Sequence, residues 1–298
     1  MTDILTTNQL TKRYRKLVAL DKLSFSLPEG SMYGLLGANG AGKTTALKLV
    51  MNLHEPTSGE AQVLGVDSRR LEGRHFERIG YVSENQDQPG WMTLGYLLKY
   101  LKPFYPAWDD ARAAELVERF HLPLDRKIKH FSRGMQMKAS LVSSLAYHPK
   151  LIVLDEPFSG LDPLTREELI EALLESAPDT SLVVSSHDLA DIESFASHIG
   201  YLDKGKLEFS EELSALTARF REMEVTLEES ALPAPWPAHW LRPQTSPAVV
   251  RFVESHYDPE RTNSQIQLLF RGVKNIEANP MPLRSIFVTL AKLSQAAA

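Results

Sequence analysis

A glycine-rich segment near the N-terminus has the residue types and spacing needed to bind a phosphate chain. It lies between a predicted strand and a predicted helix. Glycines let the backbone wrap closely, so that its N–H groups and the helix N-terminus point at phosphate oxygens. Lys43 can then reach the β- and γ-phosphates of a nucleotide, the Thr44 hydroxyl can bind Mg²⁺, and Thr45 is placed for the α-phosphate. A glycine-rich turn without a ligand is the alternative, which the flanking strand and helix argue against. The predicted contacts are Gly37, Asn39, Gly40, Ala41, Gly42, Lys43, Thr44 and Thr45.

A second pattern places two carboxylates at the end of an apolar run. Residues Leu151 to Leu154 are all aliphatic, and Asp155 and Glu156 follow them. In an open α/β sheet, ligands bind beyond the carboxyl ends of the strands. Asp155 is therefore a candidate Mg²⁺ ligand, and Glu156 is a candidate general base that polarises an attacking water. A solvated strand end with no chemical role is the alternative for this pattern when it is taken alone.

The elements around these motifs alternate in the order typical of an α/β protein. Short apolar runs of this kind are buried on both faces of a parallel sheet, and helices separate them along the chain. Strands are predicted at Leu23 to Leu27, Ser31 to Leu36, Ile79 to Val82, Leu151 to Leu154 and Ser181 to Ser185, and helices at Lys43 to Asn52 and about Leu164 to Glu175. The segment before Leu23 is short and polar.

One block of the sequence is helical throughout. It extends from Thr93 to about Tyr147, and breaks at Pro103, Pro106 and Pro123 divide it into separate helices. This block interrupts the alternation of strands and helices, so we expect it to form a subdomain of its own.

The C-terminal part of the chain has a different character. The region from about Leu232 to Pro247 is rich in proline, which predicts a loop-rich boundary. Strands are predicted after it at Val249 to Glu254 and Ile266 to Phe270, and a helix at Leu283 to Leu293. We therefore expect a small α+β appendage. Two roles are open for it: an interaction or dimer-stabilising role, and a stabilising cover for the main domain.

The overall composition is that of a globular protein. The chain has 298 residues, of which 43% are hydrophobic and 24% charged, and its formal net charge is -5. Since no bulk positive charge is present, we expect no nucleic-acid partner. With no cysteine, the sequence excludes disulfides, thiolate catalysis and cysteine-bound zinc or iron–sulfur sites. We find no secretory signal and no apolar run long enough for a transmembrane helix.

Three further segments and one aromatic residue occur in the order found in the nucleotide-binding subunits of ABC transporters, and the chain resembles that family over about residues 4 to 218. Phe131 to Gln136 is similar to the signature sequence, at the start of a helix. Ser159 to Asp162 resembles the D-loop, and Ser185 to Asp188 resembles the segment with the switch histidine. Tyr14 lies where the family places an aromatic residue that stacks on adenine.

The resemblance implies an α/β fold, a P-loop NTPase with a parallel-sheet core, an antiparallel β subdomain and a helical signature subdomain at about residues 87–148, plus a small C-terminal α+β extension. It implies an ATP-binding domain at residues 1–218 and an accessory domain at residues 219–298. The implied cofactors are ATP and Mg²⁺. The implied partners are a second copy of the chain and an integral membrane permease, which would hold the protein at the cytoplasmic face of the membrane and would select the transported substrate.

The resemblance also implies roles for individual residues. Two copies would face each other head to tail, so that Ser132 and the Gly134 N–H contact the γ-phosphate held by the other copy. His187 would contact the γ-phosphate and position Glu156 and the water. Catalysis would thus fall to Glu156, His187 and Lys43. The metal ligands would be Thr44, Asp155 and Glu84.

Several positions depart from the family pattern. Glu84 occupies the position of the usual glutamine after the strand at Ile79 to Val82, with Gln86 and Gln88 as nearby alternatives. In the signature, Arg133 replaces the usual glycine and Met135 the usual glutamine. This variant signature resembles the branch that exports drugs, antibiotics, lipids or polysaccharides, and the end of the chain from Ser285 to Val288 is similar to the closing helix of that branch.

Two other functions remain as alternatives to a transporter ATPase. The first is a soluble ABC-type ATPase that acts on nucleic acid or ribosomes, although such proteins usually carry tandem ATPase domains or a long coiled coil between the phosphate loop and the signature. The second is a small-molecule kinase or nucleotide-binding regulator that shares only the phosphate loop. It predicts no dependence on Ser132 and no dimer around the nucleotide.

Overall fold

The computed structural model describes residues 2–84, 88–176, 180–228 and 236–296. Contacts within the chain divide it into two compact units, Met1–Ser210 and Glu211–Ala298. The predicted alternative at Gln86 lies outside the described residues, as does the start of the proline-rich region.

Over its described residues, the first unit contains strands of two sheets and six α-helices. Its helices are α1 (Lys43–Val50), α2 (Gly73–Phe76), α3 (Leu94–Leu101), α4 (Asp110–Arg119), α5 (Arg133–Leu145) and α6 (Pro163–Ser176). The strands, of which the last crosses the unit boundary, are β1 (Asp3–Tyr14), β2 (Leu17–Pro28), β3 (Met32–Leu36), β4 (Ser58–Val63), β5 (Val66–Asp67), β6 (Ile79–Ser83), β7 (Leu151–Asp155), β8 (Ser181–Ser186), β9 (His198–Asp203) and β10 (Lys206–Glu212).

The larger sheet has the order β10-β9-β3-β8-β7-β6, and β3, β6, β7, β8 and β9 pair in parallel. Every residue of β7 is buried. Leu151 and Val153 pack into a core shared with α1 and β1, whereas Ile152 and Leu154 pack into a core shared with α4, α5 and α6. Successive side chains of a strand point to opposite faces, so the unbroken aliphatic run covers both faces. The predicted parallel α/β core is confirmed.

The predicted helical block is also confirmed. It consists of α3, α4 and α5, joined by short 3₁₀ turns at Lys102–Phe104 and Ile128–His130. Each helix starts at a side chain that accepts a backbone N–H of the first turn: Thr93 for α3, Asp109 for α4 and Ser132 for α5. The prolines fall in the connections, where no helical N–H is needed.

The N-terminal polar segment is a long strand, which the sequence did not predict. β1 lies inside the antiparallel sheet β2-β1-β4-β5. Its pairing with β2 shifts register four times, and Gln9 within it has φ 48. Each shift interrupts the alternation of apolar and polar residues, so the period of two that marks a strand is hidden.

The second unit is an α+β structure, as predicted. Its elements are α7 (Leu213–Arg219), β11 (Arg221–Leu227), β12 (Trp240–Thr245), β13 (Val249–Glu254), α8 (Pro259–Leu269), β14 (Val273–Pro280) and α9 (Leu283–Ala296). The antiparallel sheet has the order β12-β13-β11-β14, and the Trp240 ring stacks on Phe252 with 4.0 Å between centroids. Among the described residues, no helix is long and apolar enough to span a membrane.

Two predictions for this unit are wrong. Ile266 to Phe270 is not a strand, because Ile266–Leu269 is the end of α8. Asp258 caps that helix and Pro259 occupies its first turn, and these start signals outweigh a short apolar run. The predicted loop-rich region also contains a strand, β12. Its proline, Pro243, is tolerated because β12 is an edge strand whose register shifts at that point.

Candidate nucleotide site

The phosphate loop connects β3 to α1, and two of its glycines admit no side chain. Gly42 has φ 110, and a Cβ there would lie 2.6 Å from the Ala19 carbonyl oxygen. A Cβ at Gly37 would lie 2.3 Å from the Leu202 carbonyl oxygen. These close approaches keep the loop compact at the end of the sheet, as the sequence pattern predicts.

Lys43 opens α1 and is 5% exposed. Its Nζ donates to the carbonyl oxygens of Gly37 at 2.5 Å and Ala38 at 3.1 Å, and it lies 3.0 Å from Glu156 Oε1. The ammonium group is thus held over the loop and directly against the predicted general base.

Glu156 joins this lysine to the predicted switch histidine. His187 Nδ1 lies 2.9 Å from Glu156 Oε2. The Glu156 backbone has φ 53, and its N–H donates to Ser185 Oγ at 3.0 Å. The left-handed turn ends β7 and directs the Glu156 side chain between Lys43 and His187. The three predicted catalytic residues therefore lie in one row of contacts.

Asp155 and Thr44 provide oxygen donors of the kind that Mg²⁺ prefers. Thr44 Oγ1 donates to Asp155 Oδ1 at 3.0 Å, and Ser185 Oγ donates to the same oxygen at 2.8 Å. Glu84 follows β6, its N–H donates to the Asp155 carbonyl oxygen at 3.0 Å, and its side chain borders the same cavity as Thr44. One or two carboxylates beside a phosphate loop suit a nucleotide-bound Mg²⁺, so these residues fit the predicted metal.

A cavity of about 650 Å³ lies over the loop. Nine of the predicted site residues line it: Tyr14, Asn39, Gly40, Gly42, Lys43, Thr44, Thr45, Glu84 and Glu156. Sequence reasoning missed the wall beside Tyr14, which is formed by Leu17, Val18, Ala19, Lys204 and Gly205. The pairing of Tyr14 with Leu17 across the β1–β2 turn brings the first three of these residues to the cavity, and recognition of β1 as a strand would have indicated them. Lys204 and Gly205 lie in the turn between β9 and β10.

The signature residues lie apart from this cavity. Ser132 is the N-cap of α5 and Gly134 is its second residue, and neither is among the described residues that line the cavity. Ser132 Oγ accepts the Met135 N–H at 3.2 Å, so it caps the helix. Between them, Arg133 forms an ion pair with Glu84. Both residues depart from the family pattern, and the sequence does not predict that they contact each other.

Comparisons with known proteins agree with this geometry. A family model described as "ABC transporter" matches residues 20–159. The chain is 31% identical over 222 residues to the ABC transporter ATP-binding protein YtrB of Bacillus subtilis, covering 74% of this chain and 76% of YtrB. It is 31% identical over 227 residues to the bacitracin transport ATP-binding protein BcrA of Enterococcus faecalis, covering 74% of this chain and 72% of BcrA. The chain belongs to the ABC transporter ATP-binding proteins.

Solved structures of this family share the fold. The dimeric post-hydrolysis structure of the ATP-binding cassette MJ0796, bound to ADP and Pi, matches with a TM-score of 0.61 and 25% identity over 70% of this chain and 98% of that chain. As an ABC transporter ATP-binding subunit, the chain is an ATPase coupled to transport. Family membership favours this function over the kinase and regulator alternatives.

Proposed function

We propose that the chain binds ATP with Mg²⁺, pairs with a second copy around two ATP molecules, and drives a separate membrane permease that exports a drug, antibiotic, lipid or polysaccharide. The observation that carries the proposal is the row of contacts from Lys43 through Glu156 to His187 beside the phosphate loop. It brings together a phosphate-binding cation, a carboxylate base and an imidazole at the end of one parallel sheet.

The proposed hydrolysis uses these groups in fixed roles. Glu156 takes a proton from a water molecule as the water oxygen bonds to the γ-phosphorus. The bond between that phosphorus and the bridging oxygen breaks, which leaves ADP and phosphate. Lys43 neutralises charge on the β- and γ-phosphates, and His187 orients Glu156 and contacts the γ-phosphate.

The remaining cavity residues would hold the nucleotide. Thr44, Asp155 and Glu84 would hold Mg²⁺, which when bound neutralises phosphate charge. Backbone N–H groups of the loop and Thr45 would bind the phosphates. Tyr14, 39% exposed at the cavity edge, would stack on the base.

A second copy would complete the site. Ser132 and the Gly134 N–H lie at the start of a helix and outside the cavity of their own chain, which leaves them free to contact a γ-phosphate held by another copy. The dimer of the related cassette MJ0796 supports this arrangement.

A groove of about 460 Å³ offers a place for the permease. Leu53 and Tyr100 line it and are 54% and 51% exposed. Gln88 and Pro89 also line it, only a few residues after Glu84 in the nucleotide cavity. A permease segment in the groove would thus contact the chain segment that leads to the ATP site and would hold the protein at the cytoplasmic face of the membrane. An antibiotic as the transported substrate is supported by the relative BcrA, a bacitracin transport protein.

The test is the oligomeric state of Glu156→Gln by light scattering, with and without ATP and Mg²⁺. The amide removes the base and leaves the shape of the site, so the variant should bind ATP, dimerise and turn over little. Adding Ser132→Arg should abolish the dimer, whereas Ser58→Arg, at an exposed position on the antiparallel sheet, should not. An ATP-bound monomer, or a dimer that responds to neither ATP nor Ser132→Arg, contradicts the proposal.

A further inference from the structure

Glu84 and Arg133 connect the nucleotide cavity to the signature helix within one chain. Glu84 borders the cavity, and its backbone is tied to the end of β7 by the hydrogen bond to Asp155. Arg133 is the first residue of α5, and its Nη2 contacts Glu84 Oε1. This ion pair is a direct contact between a residue of the cavity and the first turn of α5.

The position of the Arg133 guanidinium is further defined by Gly160. Gly160 has φ 67, and a Cβ there would lie 2.6 Å from Arg133 Nη1. The guanidinium therefore packs directly against the backbone at Gly160. It lies among three segments, namely the end of β6, the loop before α6, and the start of α5.

Because the ion pair is partly exposed, either residue can readily take another partner. The Arg133 side chain is 50% exposed and that of Glu84 is 25% exposed. Ion pairs with this much solvent contact are weak, since water screens them and side-chain entropy opposes them. A divalent cation beside a phosphate chain prefers carboxylate oxygens and would compete with the guanidinium for Glu84.

We propose that the Glu84–Arg133 ion pair transmits the occupancy of the nucleotide cavity to the first turn of α5 in the same chain. The inference rests on the proposed function, because it assumes that ATP binds with Mg²⁺ beside Glu84. Binding draws Glu84 away from Arg133 and loosens the helix start that Arg133 anchors. Ser132 and Gly134 flank Arg133, so the residues proposed to face the second copy respond to the nucleotide of their own chain.

Hydrogen exchange of Glu156→Gln tests this, at a protein concentration where light scattering shows a monomer. The amides of Met135 and Gln136 report the first turn, because they donate to Ser132 Oγ and to the Ser132 carbonyl oxygen. ATP with Mg²⁺ should speed their exchange about twofold to fivefold, the range expected for loss of a partly exposed ion pair. Nucleotide affinity is measured alongside with a fluorescent ATP analogue.

Variants of the pair separate the possible outcomes. In Arg133→Gln the acceleration should be absent and ATP affinity should rise by about twofold to fivefold, because binding no longer has to break the ion pair. In Arg133→Lys the acceleration should persist. Arg119→Gln is the matched control, since Arg119 lies on the same helical block and pairs with Glu175 of α6 at 2.7 Å, outside the cavity. It should behave as the parent.

Either of two results overturns the inference while the proposed function survives. One is unchanged or slower exchange in a parent that binds ATP, and the other is the same acceleration in Arg133→Gln. A parent that does not bind ATP overturns the proposed function, and the inference with it.

Discussion

The contact between Lys43 and Glu156 predicts that the two residues are coupled in stability as well as in chemistry. Their charged atoms lie 3.0 Å apart, and the side chains are 5% and 13% exposed. Such a pair is screened little by solvent. Removing one partner of a buried ion pair leaves an uncompensated charge and costs about 3–5 kcal/mol.

The two single substitutions should differ in cost. Lys43→Met leaves the Glu156 carboxylate with His187 alone and removes the donor to Gly37 and Ala38, so we expect a loss of about 3–5 kcal/mol in the free energy of unfolding. Glu156→Gln keeps its shape and leaves Lys43 with its two carbonyl partners, so about 1–2 kcal/mol is expected. The double variant removes both charges. Its loss in the free energy of unfolding should be smaller than the sum of the two single losses by about 1.5–3 kcal/mol.

The assay must read the first unit by itself, because a chain of two units need not unfold in one step. Native-state hydrogen exchange of β7 and α1 peptides, followed over urea concentration without added nucleotide, gives the free energy of opening for that unit. Additive losses within about 0.5 kcal/mol would show that Lys43 and Glu156 do not interact, and would refute the reasoning.

Three further predictions follow from individual contacts. Gly42→Ala should weaken nucleotide binding and lower the free energy of unfolding by more than the roughly 1 kcal/mol that a left-handed alanine costs. Gly40→Ala, with open space around it, should lower the free energy of unfolding by only that amount. Equal free energies of unfolding for the two variants would contradict this. Burial raises the pKa of Asp191, which pairs with Arg166 at 2.7 Å. Arg166→Ala should therefore destabilise the protein more at about pH 8 than at about pH 5, because the unfolded chain ionises Asp191 while the folded chain resists it; a pH-independent loss in urea titrations would count against this. Leu53→Asp should abolish co-purification with a permease encoded alongside and leave the ATP-driven dimer of Glu156→Gln intact, and unchanged co-purification would remove the groove from the proposal.

The core of the site was predictable because its signals are local. The phosphate loop needs glycines at fixed offsets from Lys43, and the structure explains two of them by backbone carbonyls that exclude a Cβ. Asp155 and Glu156 follow a strand that is buried on both faces, which the unbroken aliphatic run already indicates. In both cases the chemistry is encoded within a few consecutive residues.

Features set by distant segments were not predictable in the same way. Glu84 and Arg133 were each recognised as unusual, but their contact depends on how α5 packs beside β6. The wall of Leu17 and Val18 beside Tyr14 depends on the register of β1, whose bulges hide its pattern. A sequence shows which side chains are available, whereas partners far apart along the chain are chosen by tertiary packing.

The ion pairs Lys43–Glu156 and Glu84–Arg133 would let one cavity affect two distant elements, the end of β8 and the start of α5. Lys43 contacts Glu156, which contacts His187 after β8, and Glu84 contacts Arg133 at the start of α5. A phosphate that binds Lys43 would compete with Glu156 for it, and a cation that binds Glu84 would compete with Arg133. In each case a carboxylate changes its partner. Because Glu156 also contacts His187 and Glu84 contacts Arg133, a change of partner at either carboxylate would reach His187 or α5. Under the proposed function, the same contacts that hold the charged groups in place would carry the effect of a bound nucleotide to these two elements.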